Sequence, residues 1–97
     1  MKKTIRIHEK DNVIIALEAM HAGSQVYDLQ VGEFTTVTDI PLYHKIAAAD
    51  LPKGTEILKY GTPIGIATED IPKGAHVHVH NLDSVDAMVN HVGGEKK

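Results

Sequence analysis

The chain has 97 residues, 42% of them hydrophobic, which supports one modest core and argues against a second domain. Ten Lys and Arg against 13 Asp and Glu give a net charge of -3, and no basic stripe is interleaved with aromatics, so nucleic acid is not an expected partner. The absence of Cys removes disulfides, thiolate nucleophiles and Cys-based zinc sites, and no run of about eighteen apolar residues is present to cross a membrane. The expectation is a soluble, cytoplasmic protein.

In chain order, Thr4 to His8 predicts a first short strand. Asp11 or Asn12 could cap a helix over Val13 to Met20, yet the stretch also suits a strand over Val13 to Leu17. An internal repeat decides for the strand. Ala47 to Ile57 (A-A-A-D-L-P-K-G-T-E-I) and Ala67 to Val77 (A-T-E-D-I-P-K-G-A-H-V) are two copies, and Ala16 to Val26 (A-L-E-A-M-H-A-G-S-Q-V) is a weaker third. Pro52 and Pro72 fix φ at the turn entry, and Gly54 and Gly74 supply the left-handed conformation that returns the chain to an extended run. Each copy therefore predicts a strand-turn-strand corner.

Further strands are expected at Gln25 to Leu29, Phe34 to Val37, Lys45 to Ala48, Glu56 to Lys59, Ile64 to Ala67 and His76 to His80. The stretch Lys59-Tyr60-Gly61-Thr62-Pro63-Ile64-Gly65 predicts a tight hairpin or bulge, because it matches no phosphate-binding glycine pattern. Short strands broken this often by Gly and Pro predict an irregular, mainly β roll or partial barrel. Val85, Met88, Val89 and Val92 then follow helical spacing after Ser84, so residues 1–82 are expected to form the β domain and residues 83–97 a short helix and frayed tail.

The densest polar feature is His76-Val77-His78-Val79-His80-Asn81. On a strand, alternation puts three imidazoles on one face and Val77 and Val79 on the other. Neighbouring same-face residues lie about 6.6 Å apart, so two imidazoles can converge on one metal ion, whereas His76 and His80 at about 13 Å reach the limit of a shared ion. Such a site would use two of the three and take further ligands from elsewhere. The same pattern also suits a hydrogen-bonding surface or a subunit contact. His44-Lys45, after Pro41-Leu42-Tyr43, is a second polar pair and reads locally as a loop; His8, His21 and His91 read as surface residues. No Ser-His-Asp or Cys-His triad can be assembled from spacing, so catalysis by this chain alone is not supported.

Taken together, Asp39-Ile40-Pro41-x-x-His44-Lys45-Ile46-Ala47, Asp50-Leu51-Pro52-Lys53-Gly54, Lys59-Tyr60-Gly61-x-x-Ile64-Gly65-x-Ala67 and His76-Val77-His78-Val79-His80-Asn81-Leu82 resemble the N-terminal SAF domain of the altronate/galactarate dehydratase family. The resemblance covers about residues 5 to 82, and the order and spacing of the pieces make it specific. It implies a β-clip fold and a lyase that removes water from a sugar acid with a divalent metal, often Fe2+. It also implies a larger catalytic part, fused in most relatives and separate in the sulfolactate sulfo-lyases. The expectation is the separate small subunit, acting on a sugar-acid or sulfo-acid substrate, with homo-oligomerisation open. By analogy His44, Lys45 and Asn81 are expected to contact substrate, and His78 and His80, with His76 as a further candidate, to contact metal. The alternative function is a non-catalytic SAF module that binds a carbohydrate or a protein. A further alternative is an autonomous small metalloprotein. One departure from the family pattern is Tyr43, where a Gly usually precedes the His-Lys pair.

Overall fold

The computed structural model describes residues 1–84, which fold into three antiparallel sheets with no helix among the described residues. The helix expected over Val85 to Val92 lies outside the described residues. The largest sheet has four strands in the order β1 (Thr4–Ile5), β2 (Val13–Ala16), β5 (Lys45–Ala47), β8 (His76–Val77). A hairpin pairs β3 (Gln25–Asp28) with β4 (Gly32–Thr35), and a three-stranded sheet orders β6 (Glu56–Lys59), β7 (Thr62–Ala67) and β9 (Leu82–Ser84). β9 runs across the boundary expected at residue 82.

The strand expected at Val13 is present, and its packing explains why its sequence resembles a helix. Two apolar clusters flank the central sheet. Val13 and Ala47 belong to one, with Leu51, Ile57, Ile71 and Val77. Ile14, Ala16 and Ile46 belong to the other, with Met20, Val26, Phe34 and Ile40. β2 and β5 are thus covered on both faces, so Val13-Ile14-Ile15-Ala16 shows no polar alternation, and periodicity alone cannot separate it from a buried helix.

The repeat is fourfold, not threefold. Met20-His21-Ala22-Gly23, Ile40-Pro41-Leu42-Tyr43, Leu51-Pro52-Lys53-Gly54 and Ile71-Pro72-Lys73-Gly74 form the same corner, and in each the fourth residue has a φ between +66° and +91°. The N–H of that residue donates to a strand carbonyl or, for Gly23, to the carbonyl just after one: Gly23 to Thr36 at 2.8 Å, Tyr43 to Ala16 at 2.8 Å, Gly54 to Ala67 at 2.8 Å and Gly74 to Ala47 at 2.9 Å. The corners face one another in pairs, Met20 with Ile40 and Leu51 with Ile71, each pair exchanging two backbone hydrogen bonds of 2.7–2.8 Å. Asp carboxylates brace the pairs: Asp39 accepts from the Ala22 N–H, Asp70 from Lys53 and Asp50 from Lys73.

The second pair thus repeats the first at a constant offset along the chain, and each pair closes one of the two apolar clusters. Glycine is required at Gly74 for more than its φ, since a Cβ there would collide with the Thr35 carbonyl oxygen. Tyr43 takes the left-handed conformation without that freedom, at a cost of about 1–2 kcal/mol.

Two hairpins are tied to the N-terminal segment by buried charge. The Arg6 guanidinium forks onto Asp28 of β3, with Nη2 to Oδ2 at 3.0 Å and Nε to Oδ1 at 3.2 Å. The β6–β7 hairpin turns at Tyr60-Gly61, both with positive φ as a type I′ turn demands. Asp11, 5% exposed, receives both turn N–H groups, Gly61 at 2.7 Å and Tyr60 at 3.0 Å, and the His8 N–H at 3.1 Å. Burial pushes the Asp11 carboxyl up, and the three N–H donors with the nearby His8 outweigh it, so its pKa lies below the ordinary carboxylate value.

Candidate functional site

The polar end of the central sheet is built where β8 pairs with β5. Lys45 lies opposite Val77 and Ile46 opposite His76, with Val77 and Ile46 fully buried beneath. The apolar residues anchor the strand pair, while Lys45 and His76 remain only part-buried. The Ile40-Pro41-Leu42-Tyr43 corner brings in His44: the left-handed Tyr43 turns the chain so that the His44 carbonyl accepts from Ala16 N at 2.9 Å. Despite Tyr43 standing where the family usually has Gly, the corner has the shape of the other three.

The strand expected to run to His80 stops at Val77, and the reason is Asn81. Residues His78 to Asn81 form a turn in which Asn81 N donates to the His78 carbonyl at 3.0 Å. The Asn81 side chain fastens the turn twice, accepting from His78 N at 2.9 Å and donating to the His76 carbonyl at 2.9 Å. Val79, expected on the same strand face as the buried Val77, is instead 80% exposed at the turn tip. The turn also folds the imidazoles together. His76 and His80, expected about 13 Å apart on a straight strand, have ring centroids 5.2 Å apart.

His44, a third of the chain away in sequence, enters the same cluster. Its Nδ1 lies 2.8 Å from His76 Nε2, and its ring lies 4.4 Å from that of His78. One ring nitrogen from each of His44, His76 and His78 lies within 4.8 Å of the others. His80 stands outside that group, beside His76 and exposed. Asn81 is 4% exposed, with both ends of its amide committed to the backbone, so it shapes the site from below. Of the remaining histidines, His21 is exposed beside Asp39, and His91 lies outside the described residues. The His8 ring fits under Gly61, where a Cβ would come within 2.8 Å of it.

The electrostatics are one-sided. Burial, then the neighbouring His44, His80 and His78 rings and Lys45, pushes His76 down to about 4. His78 is lowered by burial first, then by His44, Lys45 and His80. Lys45 is lowered by burial first and then by Lys59. Lys45 forms no ion pair or side-chain hydrogen bond among the described residues, and no carboxylate joins the imidazole group. At neutral pH His76 and His78 are uncharged bases beside a part-buried cation. This arrangement can bind an anion, accept a proton, or offer three nitrogen donors to a metal.

Two residues that sequence reasoning passed over belong here. Thr38 Oγ1 accepts from His76 N at 2.9 Å and fixes the start of β8. Lys59, read as part of a structural hairpin, adds a second positive charge near Lys45. The first is foreshadowed only by its place beside the Asp39-Ile40-Pro41 corner, and the second by nothing local. Two surface depressions of about 350 Å³ and 360 Å³ lie elsewhere, one by Lys2, Glu18 and Gln25 and the other between the Leu51 and Ile71 corners. Neither includes an imidazole.

Comparison with known proteins agrees with the motif order. Residues 2–85 match the family described as the altronate/galactarate dehydratase SAF domain. Altronate dehydratase from Bacillus subtilis (strain 168) is 42% identical over 81 residues, covering 84% of this chain and 16% of that enzyme. Its counterpart from Escherichia coli (strain K12) is 43% identical over 77 residues, covering 79% of this chain and 15% of the enzyme. The chain thus spans about a sixth of the length of these dehydratases. The (2R)-sulfolactate sulfo-lyase subunit alpha from Chromohalobacter salexigens is 30% identical over 83 residues, covering 78% of this chain and 88% of that subunit. The chain belongs to the altronate/galactarate dehydratase SAF domain family.

Proposed function

We propose that this chain is the small subunit of a lyase acting on a hydroxy acid, a sugar-acid dehydratase or a related sulfo-lyase, and that it works with a larger catalytic chain. The observation that carries the proposal is Lys45: a part-buried ammonium without an acidic partner among the described residues, set beside three part-buried imidazoles. An unpaired cation in that position is poorly solvated, and an anionic ligand relieves it. The carboxylate of a hydroxy acid has the charge and size for this role. The sulfo-lyase subunit alpha, matched over most of its length, supports the separate-subunit arrangement, and the short dehydratase coverage supports a larger catalytic part.

In a β-elimination a base removes the proton α to the carboxylate while departure of the leaving group is assisted. His76 and His78, held neutral, have lone pairs that take either a proton or a metal ion; with a metal bound there the base comes from the larger chain, and Lys45 holds the carboxylate in either case. A divalent metal, when bound, supplies Lewis-acid help to the departing oxygen. The cluster lies at β8, which is an edge strand among the described residues, and this suits a site completed by another protein surface. The β-clip architecture belongs to the same reading.

Co-expression with the large catalytic chain tests it, followed by turnover of altronate, galactarate and sulfolactate with and without ferrous iron. The expected result is a pair that copurifies and turns over one of the three. No copurification, or a stable pair inactive on all three, would overturn the proposal.

A further inference from the structure

We propose that His44, His76 and His78 form a three-nitrogen site for one late first-row divalent metal ion within this chain. The inference deepens the reading above and rests on it only for the anionic ligand; metal binding itself needs no catalytic partner.

The three rings come from separate, individually fixed backbone segments. His44 is placed by the Tyr43 corner and its carbonyl bond to Ala16 N. His76 is held by pairing with Ile46 and by Thr38 Oγ1, and His78 by the Asn81 amide. Ordering these ligands therefore costs little when an ion arrives, unlike three histidines on a loop. Two nitrogens bound to one ion at about 2.0–2.1 Å lie roughly 3.0–3.4 Å apart. The His44 Nδ1 to His76 Nε2 separation of 2.8 Å is already close to that bite. The widest spacing in the group, within 4.8 Å, closes by rotation of part-exposed rings.

In the free chain, the 2.8 Å contact between two nitrogens holds one proton between them. Metal binding replaces that proton, which moves to the other nitrogen of the same ring by tautomer exchange, so the pair loses no net proton. The donor set selects the ion. Three imidazoles with no carboxylate suit Fe2+, Co2+, Ni2+ and Zn2+, and are poor ligands for Mg2+ and Ca2+, which prefer oxygen. The ion would also keep its full charge and retain open positions, so it would attract an anion towards Lys45.

His80 discriminates this site from a diffuse histidine patch. It lies against His76 but outside the converging group, so it should be dispensable. The test titrates the purified 97-residue chain with Co2+, followed by visible absorption and calorimetry, with Mg2+ as control. The expected result is one Co2+ per chain, no detectable Mg2+ binding, and loss of affinity by more than about tenfold in each of His44→Gln, His76→Gln and His78→Gln. His80→Gln and His21→Gln should stay within about twofold of the parent. Circular dichroism on every variant separates lost ligands from lost fold, and a variant that unfolds is replaced by the corresponding Asn substitution. Absence of Co2+ binding, binding that survives His44→Gln, or equal loss in His80→Gln overturns the site. Failure of turnover with the catalytic chain, in contrast, would overturn only the lyase reading.

Discussion

His8 to Asp11 and His78 to Asn81 are two turns of the same construction put to different ends. In both, the last residue donates its N–H to the carbonyl of the first at 3.0 Å, and its side-chain oxygen accepts the N–H of the first, at 3.1 Å and 2.9 Å. The difference is one atom. Asp11 carries a carboxylate with acceptors to spare, and it reaches across to the Tyr60-Gly61 turn. Asn81 carries an amide whose nitrogen donates to the His76 carbonyl, folding the turn back on its own strand. The first turn is a charged brace between distant segments. The second is a neutral lock that gathers imidazoles without giving them a counter-charge, and His76 and His78 within it are held below the ordinary imidazole value, first by burial.

The largest expected effect breaks the brace. Asp11→Ala removes a charged acceptor from three N–H groups and should destabilise the fold by about 3 kcal/mol, read as a lowered urea midpoint. Next, Asn81→Asp converts the lock into a copy of the brace. It loses the donor to the His76 carbonyl, at about 1 kcal/mol, and sets a negative charge in the turn beneath His76 and His78, so NMR titration should show their pKa values rising.

The two turns should also separate on a stability–pH curve. His76 has a folded-state pKa of about 4 against 6.5 for the free group, so the unfolded chain binds more protons between these values. Stability from this turn is full above about pH 6.5 and is lost as pH falls towards 4. Asp11, with its pKa lowered, contributes only above the ordinary value of 3.8, and its share is lost as pH falls below that. Asn81→Asp should flatten the upper window and leave the lower one. The smallest effect is at the corner before His44, where Tyr43→Gly relieves a left-handed tyrosine and should stabilise by about 0.5–1 kcal/mol in thermal melts.

Much of the scaffold was legible because its corners are written in residues with strong backbone preferences. Pro-Lys-Gly marked two corners outright, and Gly23 marked a third. The corner at Asp39 to Tyr43 escaped the repeat because Tyr stands where the others have Gly, although Asp39-Ile40-Pro41 repeats Asp50-Leu51-Pro52 and Asp70-Ile71-Pro72. The site was half legible. The His-Val alternation pointed to the right residues, but period two cannot reveal that a side chain at the end of the run will turn the strand. The matching spacing of His8 to Asp11 and His78 to Asn81 was the available clue. The meeting of His44 with His76 is set by the pairing of β5 with β8, a long-range contact that no local pattern encodes.

On the proposed function, ligand chemistry belongs to the imidazole and lysine end, and Asp11 is a brace. The most direct measurement compares Lys45→Ala with Asp11→Ala in complex with the catalytic chain, recording both kcat/KM and Tm. Lys45→Ala should lower kcat/KM by about tenfold or more with little change in Tm, and Asp11→Ala should lower Tm while the folded complex keeps its activity. Full activity in Lys45→Ala, with activity lost in a still-folded Asp11→Ala complex, would contradict the assignment.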